Sequence, residues 1–422
     1  MVHTGKTGRQ SIRRAIPLAI AVCAIVVLGA EVVRLRRQLP QPQPERLHEL
    51  PTGAHRAGIT PEVERELERI ATLGYVAGSE RAPSTTGVLR HDRDAAFAGL
   101  TLYTCGGGPE AFLIDMEGNV VHSWVSPGSM YWARAFVFPN GDLVAIETHP
   151  PGVVKLTSDS ELLWRYDGDA HHDFAVMQDG SVYVIVKEAI TRPNILDGAP
   201  LLDDNIVLLD PTGREVERVS LLEAFEKTEM GRQWLTDHPL PDDGDIFHTN
   251  SAQMLGDGEA THILLSIRSI HTIAILDLNA REIVWAIDGP WYKQHEAQFV
   301  GENLLLFDNL GLSRALGGAG QSQVLEIDVR THELVWSYTE PGFFTQGAGS
   351  QQRLPNGNTL ITESIHGRII EVTPDGHIVW EYINPLTLES DPDLILAILR
   401  AERIPASPAR EWAAGRRAPS ED

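Results

Sequence analysis

The chain has 422 residues, room for one large domain or two ordinary ones with a substantial core. Its net charge is −23, and because residues 1–37 are net positive, the remainder carries about −29. A body that acidic repels phosphate backbones, which excludes nucleic acid as a partner, and only two cysteines occur, Cys23 and Cys105.

In chain order, residues 15–33 form an almost wholly apolar run flanked by Arg13, Arg14, Arg34, Arg36 and Arg37, long enough to cross a bilayer as a helix. Leu28 stands where a cleavage site prefers a small residue, so residues 1–37 read as an uncleaved signal anchor. Cys23 lies within that run, and no internal disulfide is expected. Residues 38–87 follow as a Pro/Gln-rich tether with a short helix over 61–73, started by Thr60-Pro61 and stopped by Gly74. The expected placement is a single-pass protein of the cytoplasmic membrane with its body on the periplasmic or extracellular side.

From residue 88 the texture becomes short apolar runs cut by Asn140-Gly141, Asp179-Gly180, Asp257-Gly258, Asn356-Gly357 and Asp375-Gly376, all tight-hairpin signals. A second theme is an acidic residue or Thr, a turn, then apolar residues and Trp. It ends at Trp124, Trp164, Trp285, Trp336 and Trp380, with a sixth copy from Asp210 that lacks the Trp. The copies recur roughly every 40 to 55 residues, the size of a four-stranded blade. Six copies without helical periodicity between them predict an all-β, six-bladed β-propeller over 88–385, with the Trp packed between neighbouring blades. Residues 386–422 read as a helix over 391–403 and a polar tail.

The inner strands can be aligned on their hairpin turns. Five residues before the apolar residue preceding each turn stand Ala133, His172, Asn250, His295 and Gly349. Equivalent inner-strand positions lie at one height around a propeller's channel, so His172, Asn250 and His295 should face one cavity. His248 lies two residues before Asn250, and Arg268 sits in the next apolar run between Ser266 and Ser269. A guanidinium there is costly to bury unless it meets an anion or a carboxylate, and beside His248 it reads as an anion clamp. Zinc is the rival for such a cluster. Glu296 and Asp173 adjoin column residues, but strand neighbours point to opposite faces, and no metal is assigned.

Several strings in this order resemble the bacterial PAPS-independent arylsulfotransferases. They are Leu113-Ile-Asp-Met-Glu-Gly-Asn-Val-Val-His-Ser-Trp124, His171-His172-Asp173, Phe247-His-Thr-Asn-Ser251, Ser266-Ile-Arg268, His295-Glu-Ala-Gln298 with Leu306-Phe-Asp-Asn309, and Gly349-Ser-Gln351. The resemblance implies a six-bladed propeller that needs no cofactor and moves a sulfuryl group from a phenolic sulfate ester to a phenol. It implies His295 as the transiently sulfated nucleophile, with His172, His248, Asn250 and Arg268 on the sulfuryl oxygens, and His171 and Gln351 on the substrate. The alternatives are a non-catalytic binding propeller and a quinoprotein-like dehydrogenase, whose propellers generally have eight blades.

Overall fold

The computed structural model describes residues 80–405 apart from 242, 257–260 and 319. The expected membrane span, 61–73 helix, 406–422 tail and Asp257-Gly258 turn lie outside those residues, as does the tether up to residue 79; of its remainder, Arg81 bridges Leu394 and Gly87 opens a strand. Among the described residues no helix is long and apolar enough to cross a membrane.

Six antiparallel sheets form the body. Blades two to five run in simple order, Trp132–Val137 to Leu162–Tyr166, Ala170–Val176 to Glu215–Ser220, Thr249–Leu255 to Glu282–Asp288, and His295–Val300 to Leu334–Tyr338. Blade six holds Ser350–Arg353 to Ile378–Ile383, and Gly87–His91 is added to it as a fifth, outer strand. Blade one combines Gly99–Cys105, Glu110–Ile114 and Val120–Val125 with an innermost strand from the far end of the chain, Ile398–Pro405.

That last strand corrects the expected helix over 391–403 and extends the propeller beyond 385. Residues Asp391–Ile395 pair with Thr387–Leu388 in a small hairpin, and Ile398–Pro405 pairs along Gly99–Cys105. The apolar run Leu394–Leu399 fits a helical period locally. What decides the outcome is a blade with three strands of its own and an unpaired inner edge, which the closing strand satisfies. Arg403 anchors the closure: fully buried, it meets the equally buried Glu371 at 3.2 Å, donates to Thr101 Oγ1 at 2.9 Å and lies over the Trp380 ring.

The hairpin glycines Gly141, Gly180, Gly357 and Gly376 all adopt φ of 85–88°, as Asn-Gly and Asp-Gly turns require. The repeat tryptophans act as ties between blades. Trp124 Nε1 donates to Gly141 O, Trp164 to Pro211 O, Trp336 to Pro374 O and Trp380 to Met116 O, each in the following blade. Trp285 packs against Phe299 of the next blade. The fully buried Trp124 and Trp380 contribute about 2–3 kcal/mol each and the half-buried Trp164, Trp285 and Trp336 less, so the ring of blades is stitched at most of its joints.

Two helices, α1 (Leu221–Lys227) and α2 (Glu229–Asp237), are inserted between blades three and four. They are capped by Ser220 and Thr228, whose side chains accept from Glu223 N and Gly231 N. The chain that follows them delivers Asp245 and His248.

Candidate active site

The column of inner-strand positions coincides with breaks in strand pairing. The register skips Ala133, Asn250 and Leu399, and shifts again beside His172 and after His295. His172, His248 and Glu296 have φ between 50° and 56°, left-handed values uncommon for side-chain-bearing residues. A bulge re-aims the side chain at the break, so these strands turn their imidazoles toward each other.

The structure brings the predicted histidines together. His172 Nε2 and His248 Nε2 are 3.1 Å apart, and the rings of His172 and His295 are 6.2 Å centre to centre. All are buried or nearly so. Asn250 is 5% exposed, and its Nδ2 donates to Gln294 O at 2.7 Å. Arg268 lies one residue past the strand His262–Ile267, in a turn, rather than within the run. Its backbone N donates to His248 O, and its guanidinium acts electrostatically on His172, His248 and His295.

Hydrogen bonds fix the tautomers. Asn309 Nδ2 donates to Thr345 O at 3.0 Å and to Ala348 O at 2.8 Å, so its Oδ1 must be the atom facing His295 Nδ1 at 2.6 Å. His295 therefore carries its proton on Nδ1, which leaves the ring's lone pair on Nε2. By the same logic the Asp245 carboxylate, 2.5 Å from His248 Nδ1, places that proton on Nδ1. His248 Nε2 is then the acceptor, and His172 Nε2–H donates to it.

Burial first, then the Arg268 guanidinium, pushes His295 down to about 3, against the bond to Asn309 and the Lys293 carbonyl. Burial also holds His172 and His248 well below the ordinary imidazole value, helped most by His248 in the first case and Arg268 in the second. Burial raises Asp245, opposed by His171, Lys187, Arg268 and Lys293. The site is a buried cluster of neutral imidazoles under a positive field, suited to an anion that brings its own charge.

The remaining candidates play supporting parts here. His171 Nε2 pairs with Asp204 Oδ1 at 3.1 Å, and Asp204 Oδ2 accepts from Thr249 N, so His171 locks blade three to blade four beneath the site. Gln351 Nε2 donates to Glu296 O and Leu305 O, bracing the His295 strand from blade six. Asp173 is bound by Arg134 and Arg400, and Glu296 by Arg400. These carboxylates belong to ion pairs, and among the described residues no group of three or more potential ligands is placed to hold a metal.

Sequence reasoning assigned no role to Asp245, Asn309 or Arg400. Asn309 stood in the Leu306–Asn309 string and Asp245 three residues before His248, but neither carries a spacing signal of its own.

A family model described as arylsulfotransferase (ASST) matches residues 131–385, more than half of the chain. The chain belongs to the arylsulfotransferase family. No curated protein matches it. Among solved structures, this arylsulfotransferase-family chain is similar to three in particular. A protein of unknown function from Bacteroides caccae is 11% identical, with a TM-score of 0.46, covering 72% of this chain and 100% of that one. A streptogramin B lyase is 15% identical, with a TM-score of 0.42 and coverage of 75% and 86%. The WD40 propeller domain of Doa1 is 9% identical, with a TM-score of 0.39 and coverage of 70% and 77%.

Proposed function

We propose that this protein transfers a sulfuryl group from a phenolic sulfate ester to a phenol, without a nucleotide carrier, by a ping-pong reaction through a sulfohistidine at His295. The observation that carries the reading is the Asn309 lock, which leaves His295 Nε2 as an unprotonated nucleophile in a positive field. In the first half-reaction Nε2 attacks sulfur in line, the S–O(aryl) bond breaks, and phenolate leaves with the bonding pair. Arg268 and Asn250 would hold the sulfuryl oxygens while charge spreads over them, with His172 and His248 joining once His172 Nε2–H turns from His248 onto the anion. In the second half the acceptor's oxygen attacks sulfur and the N–S bond breaks, returning its pair to Nε2. The acceptor's proton passes to His248 Nε2 as the hydrogen bond from His172 gives way, and the added charge is balanced by Asp245.

The test is incubation with 4-nitrophenyl sulfate and phenol. Nitrophenol release, phenyl sulfate formation and a sulfuryl adduct on His295 by mass spectrometry are expected, all absent in His295→Ala. A folded wild type inactive across a broad panel of aryl sulfates, or an active His295→Ala, would overturn the assignment. We further propose that residues 15–33 anchor the protein with its propeller on the periplasmic side. The apolar run and its basic flanks support this, and extraction of full-length protein from membranes by alkaline carbonate would refute it.

A further inference from the structure

The rim beside His295 concentrates positive charge in a chain whose net charge is −23. Elsewhere in the propeller the inward-facing arginines meet carboxylates, as Arg134, Arg353, Arg368, Arg400 and Arg403 do. Two cations near the nucleophile differ. Among the described residues neither Lys293 nor Arg314 has a carboxylate at ion-pair distance, and both lie against one ring. Arg314 Cζ is 3.7 Å and Lys293 Nζ 6.0 Å from the centre of Tyr292.

The segment is held rigidly. His271 packs on Tyr292 with ring centres 3.8 Å apart, too close to share a face with Arg314, so Tyr292 is sandwiched. His271 Nδ1 accepts from Lys293 N, and its carbonyl accepts from Trp291 Nε1. That same residue closes the turn begun by Arg268. Asp308 ties Tyr292 N at 2.9 Å and Gly311 N at 2.7 Å, joining the segment to a third helix, α3 (Gly311–Ala315), which carries Arg314. Lys293 itself has φ of 59°, a left-handed backbone for a long side chain. Burial, then the field of Arg268, opposed by Asp243 and Asp245, pushes its ammonium down to about 8.

We propose that Lys293 and Arg314 form a second anion subsite beside the sulfuryl position, so that the substrate is an aromatic sulfate ester bearing a further fixed negative charge, such as a ring carboxylate. The proposal rests on the sulfuryl-transfer reading for the position of the first anion. An incoming carboxylate supplies the counter-charge that these cations lack, and half-buried cations held in place lose little entropy in meeting it.

The experiment uses full-length His295→Ala protein, which cannot turn over, and calorimetric binding of phenyl sulfate and of its 3- and 4-carboxy derivatives. At least one carboxylated ester should bind about fivefold tighter than phenyl sulfate at low salt, a partly screened charge pair, and the ratio should shrink at high salt. Adding Lys293→Gln or Arg314→Gln singly should each narrow the ratio, with circular dichroism confirming the fold. The same ratio should appear in kcat/KM of the wild type. Equal affinity for all three esters, or a preference that survives both substitutions, overturns the subsite. A preference that binds but yields no adduct on His295 upholds the subsite and removes the transfer chemistry instead.

Discussion

Replacing Asn309 by Ala tests the physical basis of the nucleophile directly. In the folded protein the Asn309 side chain satisfies three buried groups at once, His295 Nδ1, Thr345 O and Ala348 O. Removing it orphans His295 Nδ1 and Ala348 O, while Thr345 O keeps Ser322 Oγ at 3.3 Å, and at about 1–3 kcal/mol for each lost partner, with some relief by water, the fold should lose about 2–3 kcal/mol. The rate effect is separable. If the 2.6 Å bond favours the Nδ1–H tautomer and its orientation by about 1.5–3 kcal/mol, its loss lowers kcat about 10- to 100-fold, while KM stays within about twofold because oxyanion contacts are untouched. Asn309→Asp restores an acceptor for Nδ1 and adds charge. It should recover part of the rate and move the acid limb of the pH profile upward, an effect that a merely structural role would not produce. The assays are 4-nitrophenyl sulfate turnover and nitrogen-15 NMR of the imidazole. An Nε2–H tautomer in the wild type, or a folded Asn309→Ala with full kcat, would refute the reasoning.

Other consequences follow from the same geometry. The folded-state value of His295 is depressed to about 3, so its contribution to stability is fully present above about 6.5 and fades as pH falls toward 3, with His172 and His248 acting in the same direction. Urea denaturation of His295→Asn should accordingly show a shallower loss of stability between pH 6.5 and 4 than the wild type; parallel curves would contradict this. Arg403→Met leaves the fully buried Glu371 uncompensated and should cost about 3–5 kcal/mol, most of it regained in the Arg403→Met/Glu371→Leu pair. An additive double variant would show that the ion pair is not the cause. A Cβ at Gly311 would lie 2.4 Å from Asp308 Oδ2 and 2.6 Å from Pro290 O, so Gly311→Ala should loosen the Tyr292 segment and lower thermal stability by about 1–3 kcal/mol. An unchanged melting temperature would count against the Asp308 knot.

The blade count was legible because most blades repeat a local device: a glycine turn whose φ the chain must satisfy and a tryptophan tied to its neighbour, the latter missing only from blade three. The histidine column was legible for a related reason, since equal distance from a hairpin turn means equal height in the channel. Arg268 was placed with the right partners but on the wrong side of a strand end, because a turn of four residues leaves no glycine or proline to mark it. The closing strand was missed altogether. Its local sequence favours a helix, and the partner that makes it a strand lies about 300 residues earlier, beyond the reach of any periodicity. Asn309 and Asp245 eluded assignment in the same way, since their meaning resides in carbonyls and imidazoles that only folding brings near.

The strand that completes blade one also supplies Arg400, whose guanidinium grips Glu296, the residue next to His295. During synthesis that strand leaves the ribosome after every other strand of the propeller. A chain stopped before it would therefore have His172, His248 and His295 already translated, yet lack the clasp that braces the His295 strand. The bracing of Glu296 thus arrives only when the ring shuts.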